Sequence, residues 1–206
     1  MSHEPVEHYF SAAPAGDFVP KEIRVRLGGQ DFQLETAGGV FSPDHVDAGT
    51  EALLRIVPPL SNAPGHLLDL GCGWGPIALT MALESPGAAV WAVDVNERAL
   101  ELTRRNAGRA GCTNVRAVTP DSVPDDVLFT TIWSNPPIRI GKAELHELLE
   151  KWVPRLAPGG EGYFVVAKHL GADSLFTWML TTFAETHAVT KGDHYKGFRV
   201  IEVRAN

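Results

Sequence analysis

The sequence predicts an α/β fold: a mostly parallel sheet covered by helices, with an antiparallel hairpin at its C-terminal end and a small N-terminal β-layer. Three features of the chain point to it. From His66 onward, short apolar runs alternate with segments of helical period, as parallel strands joined by crossover helices require. Before that, Ile23, Val25 and Leu27 alternate with Arg24 and Arg26, Gly28-Gly29 supplies a turn, and Phe32-Gln33-Leu34-Glu35-Thr36 alternates again, the pattern of a hairpin. At the far end, Tyr195 to Ala205 holds Phe198, Val200, Ile201 and Val203 with no helical period and follows Ala188-Val189-Thr190, which reads as a terminal hairpin.

Taken in order, residues 1–20 are rich in Ala, Pro, Gly and polar residues, carry no period and read as a loosely ordered arm. One domain is expected over 21–206, with the hairpin inside 21–40 and the α/β core over 66–206. Strands are expected at 66–71, 89–95, 114–118, 130–135 and 162–168, and helices near 76–84, 97–108, 142–156 and 172–184. In the third helix Leu145, Leu148, Leu149, Trp152 and Leu156 form one apolar stripe at helical spacing. Pro154 falls in its last turn, and Ala157-Pro158-Gly159-Gly160 reads as a break.

Composition removes several classes. The longest apolar run, Ala88 to Val93, is six residues, far below the roughly 18 needed to cross a bilayer. Met1-Ser2-His3-Glu4-Pro5 lacks the basic-then-apolar order of a signal peptide. Cys72 and Cys112 form neither a disulfide framework nor a CxxC pair, and the eight histidines lack metal-ligand spacing. A cytoplasmic protein without a structural metal is expected. A net charge of −7 argues against bulk polyanion binding but leaves room for a local basic surface. Lys21, Arg24 and Arg26, and Arg98, Arg104, Arg105 and Arg109, read as solvated faces interleaved with acids; Arg139 and Lys142 are kept as site candidates.

Leu67-Leu68-Asp69-Leu70-Gly71-Cys72-Gly73-Trp74-Gly75-Pro76-Ile77 is an apolar strand entering a Gly-x-Gly-x-Gly turn and then a helix. Glycines at alternate positions bring bare backbone against a ligand. Asp94, at the tip of the next apolar strand, is placed to accept hydrogen bonds from ribose hydroxyls. A pyrophosphate is poorly served. The third glycine comes one residue earlier than in the dinucleotide pattern, Pro76 removes a donor from the helix start, and Asp69 would repel a diphosphate while welcoming an amino group. An amino-acid-bearing nucleoside fits better.

Ile132-Trp133-Ser134-Asn135-Pro136-Pro137-Ile138 ends the fourth parallel strand, where open α/β sheets bind ligands. Two prolines remove two N–H donors and leave an acceptor pair, the Asn135 side-chain oxygen and the Pro136 carbonyl. Two acceptors on the hydrogens of an exocyclic amine favour the pyramidal nitrogen that attacks an electrophilic methyl in line.

Asp69-Leu70-Gly71-Cys72-Gly73-Trp74-Gly75 resembles motif I of the class I S-adenosylmethionine (SAM) methyltransferases, and Asp94 matches their ribose-binding acid. The resemblance implies a Rossmann-like sheet and SAM as cofactor, lined by Asp69, Gly71, Cys72, Gly73, Gly75, Asp94 and Val95. It also puts Asp121 near the adenine amine, although an acid in that place is equally a turn or N-cap residue. Asn135-Pro136-Pro137-Ile138 resembles motif IV of amino-group methyltransferases, whose fourth residue is commonly aromatic; Ile138 brings no ring. Val40-Phe41-Ser42 with Asp47-Ala48-Gly49-Thr50, the glycine motif, and Ser134 to Lys142 together resemble the "methyltransferase small" domain, the catalytic half of small-subunit rRNA guanine-N2 methyltransferases.

That likeness covers nearly the whole chain, and it implies methylation of a guanine N2 amine in small-subunit rRNA, with rRNA or the small ribosomal subunit as partner. The two-domain rRNA enzymes carry a further N-terminal domain, and no counterpart of it is expected in this chain. The resemblance has Asp47, Gly49 and Thr50 close over the methionine end of SAM; a helix N-cap at Asp47 or Thr50 is the alternative. Arg139 and Lys142 are read as phosphate contacts, against an ion pair with Glu144 or Glu147. Protein glutamine methylation, a small-molecule amine and a non-catalytic partner module are the competing functions.

Overall fold

The computed structural model describes residues 17–206, except the side chain of Arg139. Residues 1–16 of the expected arm therefore lie outside the described residues. A hairpin, β1 (Lys21–Leu27) and β2 (Gln30–Thr36), forms a sheet of its own, closed by Gly28 and Gly29 at positive φ. Helix α1 (Ala48–Ile56) follows. Then come β3 (His66–Leu70), α2 (Pro76–Glu84), β4 (Ala89–Val93), α3 (Glu97–Ala110), β5 (Val115–Val118) and β6 (Phe129–Ser134). The chain ends with α4 (Lys142–Trp152), β7 (Leu156–Ala167), α5 (Ala172–Thr182), β8 (His187–Tyr195) and β9 (Phe198–Ala205).

The large sheet has the order β5-β4-β3-β6-β7-β9-β8. Strands β3 to β7 pair in parallel, and β9 runs antiparallel to both neighbours. The strand order reverses between β3 and β6, so a crevice opens at their C-terminal ends. The Ser134 hydroxyl donates to the Leu70 carbonyl (2.7 Å) and closes the floor of that crevice.

Both sheet faces are buried, which is why the strands read as continuous apolar runs. Leu67, Trp133 and Val165 face α1, α2 and α3, whereas Leu68, Ile132 and Phe164 face α4 and α5. The β1–β2 layer buries Leu27 and Leu34 in the core and is tied to α3 by polar groups as well. Asn106, fully buried, accepts from the Glu35 N–H (2.7 Å) and donates to the carbonyls of Glu35 and Trp74 (both 2.8 Å). Arg109 pairs with Glu22 and Glu35, and Arg105 with Glu35 and Glu101, so these helix cations serve docking and surface pairing.

Three expected boundaries move. Helix α4 stops at Trp152, a 3-10 turn spans Val153–Arg155, and Leu156 opens β7. The expected break at Ala157 to Gly160 is instead a β-bulge: Phe129 faces Leu156, but Thr131 faces Glu161. A Cβ on Gly160 would lie 2.8 Å from the Ala157 carbonyl oxygen and 2.9 Å from that of Phe129, so the backbone stays against the sheet. Tyr195 closes β8 and does not open the last strand, because Lys196 and Gly197, both at positive φ, make a two-residue turn. Among the described residues no helix is long and apolar enough to cross a membrane.

Candidate active site

The glycine turn after β3 takes its shape from backbone that only glycine adopts readily: Gly71, Gly73 and Gly75 all have positive φ. At Gly75 a side chain would also meet Thr103 of α3 at 3.0 Å. The Thr103 hydroxyl donates to the Gly73 carbonyl (3.0 Å) and holds the turn from behind. The Cys72 thiol sits 3.7 Å from that hydroxyl, and burial pushes its pKa well up, as suits a packing group. Asp69 is fully buried beneath the turn. One of its oxygens accepts from the Ala78 N–H (2.9 Å) and so braces the start of α2; the other has no partner. Burial, with the nearby Asp94 charge adding to it, raises the Asp69 pKa well above the usual carboxylate range.

Asp94 follows β4 and joins the turn to the next helix. Its Oδ2 accepts from the Gly73 N–H (3.0 Å) and its Oδ1 from the Asn96 N–H (2.9 Å). A carboxylate accepts at about four sites, so these bonds leave capacity on both oxygens for a ligand. Burial raises the Asp94 pKa, and the backbone bonds oppose that rise.

At the end of β6, the Asn135 NH2 donates to Asp47 Oδ2 (2.9 Å) and to the Thr50 hydroxyl (3.2 Å). Carboxylates accept only, so the amide must present Oδ1 away from Asp47. The Pro136 carbonyl accepts from the Ile138 N–H (2.8 Å) across Pro137, an inverse γ-turn that fixes its direction and leaves its second lone pair. Asp47 is the N-cap of α1, accepting from the Gly49 N–H (2.7 Å) and the Thr50 N–H (3.4 Å) with the same oxygen.

The segment between β2 and α1 roofs the crevice and is tied to the cofactor-side turn. Trp74 Nε1 donates to the Ser42 carbonyl (3.1 Å), Asn96 Nδ2 to that of Gly39 (2.8 Å) and the Arg98 guanidinium to that of Gly38 (2.6 Å). The cavity beneath has a volume of about 360 Å3. Of the predicted residues, Gly71, Gly73, Asp94, Val95, Asp47, Asn135, Pro136, Pro137 and Ile138 line it. A narrower recess beside it brings in Thr50 and Cys72. Gly49 packs directly on the Asn135 amide, and Gly75 and Asp69 act from behind the turn.

Asp121 is not brought in. Its side chain is 95% exposed and turns to Lys151 of α4 (3.4 Å), while its neighbour Pro120 lines the cavity. Lys142 opens α4 and is exposed, making no ion pair with Glu144 or Glu147 among the described residues; the Arg139 side chain lies outside them. Sequence reading missed Leu148, His169, Leu170 and Phe198, which also line the cavity. The rings on its wall are those of Phe41, Phe198 and His169. Only Phe41 stood inside a recognisable motif; the others sit on elements whose cavity-facing side no local pattern reveals.

Residues 31–201 match the methyltransferase small domain. A Bacillus subtilis relative described as uncharacterized protein YbxB is 35% identical over 201 residues, covering 96% of this chain and 98% of that one. Ribosomal RNA small subunit methyltransferase C of Shewanella amazonensis is 31% identical over 187 residues, covering 88% of this chain but 52% of that protein. The chain thus spans about half the length of the rRNA methyltransferases it matches. Among solved structures, the T. thermophilus 16S rRNA N2 G1207 methyltransferase (RsmC), in complex with AdoMet and guanosine, has a TM-score of 0.75 at 21% identity, covering 93% of this chain and 52% of that one, a likeness of fold. With the strand order, the glycine turn and the Asn-Pro-Pro crevice in agreement with that match, the chain belongs to the methyltransferase small domain family.

Proposed function

We propose that this protein transfers a methyl group from S-adenosylmethionine to the exocyclic N2 amine of a guanine in small-subunit rRNA. The observation that carries the reading is the Asn135 amide, whose NH2 is tied to Asp47 and Thr50 so that its oxygen is left as an acceptor at the cavity that Pro136 also lines. An amine brings hydrogens to such a site; a group without donors would leave the Asn135 oxygen unpaired and the second lone pair of the Pro136 carbonyl unused.

The residues fit the cofactor. Asp94 has acceptor capacity left on both oxygens for ribose hydroxyls, and an ammonium group over the turn would favour the ionised form of Asp69, whose second oxygen has no partner. Val95, Pro120, Ile138 and Leu148 offer an apolar slot for adenine, a role that takes the place of the one expected for Asp121. When bound, SAM supplies an electrophilic methyl on a sulfonium centre. Asn135 Oδ1 and the Pro136 carbonyl then hold the amine hydrogens, turning the nitrogen lone pair out of conjugation with the ring. The rigid γ-turn keeps that geometry in place, so positioning supplies much of the rate. Phe41 and Phe198 provide the aromatic surface that Ile138 lacks. Lys142 at the start of α4 and Lys168 after β7 are exposed cations suited to RNA phosphates, with Arg139 near the first in sequence.

The likeness to the small subunit methyltransferases C supports rRNA as the target class. Transfer of labelled methyl from SAM to separate pools of purified rRNA, small subunits, tRNA and cell protein tests it. Labelled N2-methylguanosine in rRNA or subunits is expected. Label confined to protein or tRNA, or no label with SAM bound, overturns the proposal.

A further inference from the structure

We propose that Asp47 is a positioning residue for transfer: its carboxylate, with the Thr50 hydroxyl, locks and polarises the Asn135 amide so that Oδ1 faces the incoming amine. The inference rests on reading Asn135 as the acceptor for that amine. Asp47 Oδ2 receives the Asn135 NH2 at 2.9 Å and Thr50 Oγ1 receives it at 3.2 Å, from partners 88 and 85 positions away in the chain. An amide flanked by two neutral partners can flip; one that faces a carboxylate cannot, because its oxygen would then meet an anion. The anion on the N–H side also draws charge through the amide, making Oδ1 a stronger acceptor, as polarised hydrogen-bond chains do.

Packing removes the remaining freedom. A Cβ at position 49 would lie 2.9 Å from Asp47 Oδ2, 3.0 Å from Asn135 Oδ1 and 3.1 Å from Asn135 Nδ2, so α1 approaches the amide as closely as a glycine permits. Helix capping accounts for the bonds from Gly49 and Thr50, and Ser or Asn would cap as well. It does not account for the bond to Asn135, which crosses from α1 to the tip of β6.

The test is Asp47→Ser, which keeps an N-cap hydroxyl but is neutral and too short to reach Asn135. Three readouts are taken: melting temperature, SAM affinity by calorimetry, and the Asn135 side-chain amide resonances of the cofactor-free protein, assigned by their loss in Asn135→Ala. Expected are a near-native melting temperature, a SAM Kd within a few fold, upfield movement of the Asn135 NH2 protons, and a kcat on rRNA lower by on the order of 10²-fold. Should the serine variant not fold, Thr50→Val removes one acceptor from the same amide and should move the same resonances less. Unmoved Asn135 resonances overturn the lock, as does a loss of activity matched by an equal loss of SAM affinity. A wild-type protein that methylates no RNA, with the resonances moving as expected, overturns the substrate reading and supports the lock.

Discussion

At the glycine-turn end of the cavity, the ligand-facing groups come from one continuous strand, turn, helix and strand, and are mostly backbone: the positive-φ glycines and the N–H groups that aim Asp94. At the Asn135 end they are side chains from segments far apart in the chain, with Asp47, Gly49 and Thr50 gathered against Asn135. The first kind of site tolerates distant change because its geometry is local. The second depends on how α1 docks on the sheet, so damage there should affect turnover more than cofactor affinity.

The sharpest way to separate the two ends is Asn135→Ala. It should lower kcat by on the order of 10³-fold, by analogy with removing one preorganised polar group, while SAM Kd stays within a few fold by calorimetry. Parallel loss of both would erase the distinction. Gly49→Ala comes next: its methyl has no room against the amide, and kcat should fall on the order of 10²-fold, with SAM Kd again little changed. Asp94→Ala should do the reverse, weakening SAM by ~1–3 kcal/mol for unpaired ribose hydroxyls, with kcat at saturating SAM near wild type.

Asp69→Asn gives the smallest effect and concerns pH. The folded protein holds the Asp69 proton more tightly than the unfolded chain, because burial raises its pKa. Its contribution is thus fully present below the ordinary carboxylate range and is lost as pH rises through the folded value. Asparagine does not titrate and still accepts from Ala78. The melting temperature of the cofactor-free variant should therefore gain on that of wild type as pH rises from acid to neutral, on top of a pH-independent cost for its buried amide NH2. Calorimetric scans across pH check this; a variant that gains on wild type as pH falls would contradict it.

The two ends also differ in how far the sequence reveals them. The glycine turn and Asp94 are readable because strand, turn and acid are neighbours in the chain and each residue type has a steric or charge reason for its place. Asn-Pro-Pro is readable as an acceptor array, since prolines remove donors whatever surrounds them. That Asp47 serves as both helix cap and anchor for Asn135 is not, because a cap pattern specifies nothing about what lies across from it. Asp121 shows the converse: an acid after a strand invites a ligand role, but only the packing of α4 reveals that Lys151 is its partner. The bulge in β7 escaped for a related reason, as Pro158-Gly159-Gly160 breaks local periodicity while the neighbouring strand holds the backbone in the sheet.

The docking of the N-terminal hairpin through Asn106, Arg105 and Arg109 has a dynamic consequence. The contact joins the buried Leu27 and Leu34 to polar bonds whose exposed members water competes for, and the hairpin is a sheet of its own, so it and the roof segment it carries are expected to lift as a cooperative unit while the large sheet stays intact. Each lifting would uncover the Ser42, Gly39 and Gly38 carbonyls together. Native-state hydrogen exchange should therefore show β1 and β2 amides opening at a lower free energy than those of β3 and β6. A bound cofactor would slow that opening, making the hairpin's exchange rate a remote gauge of cavity occupancy.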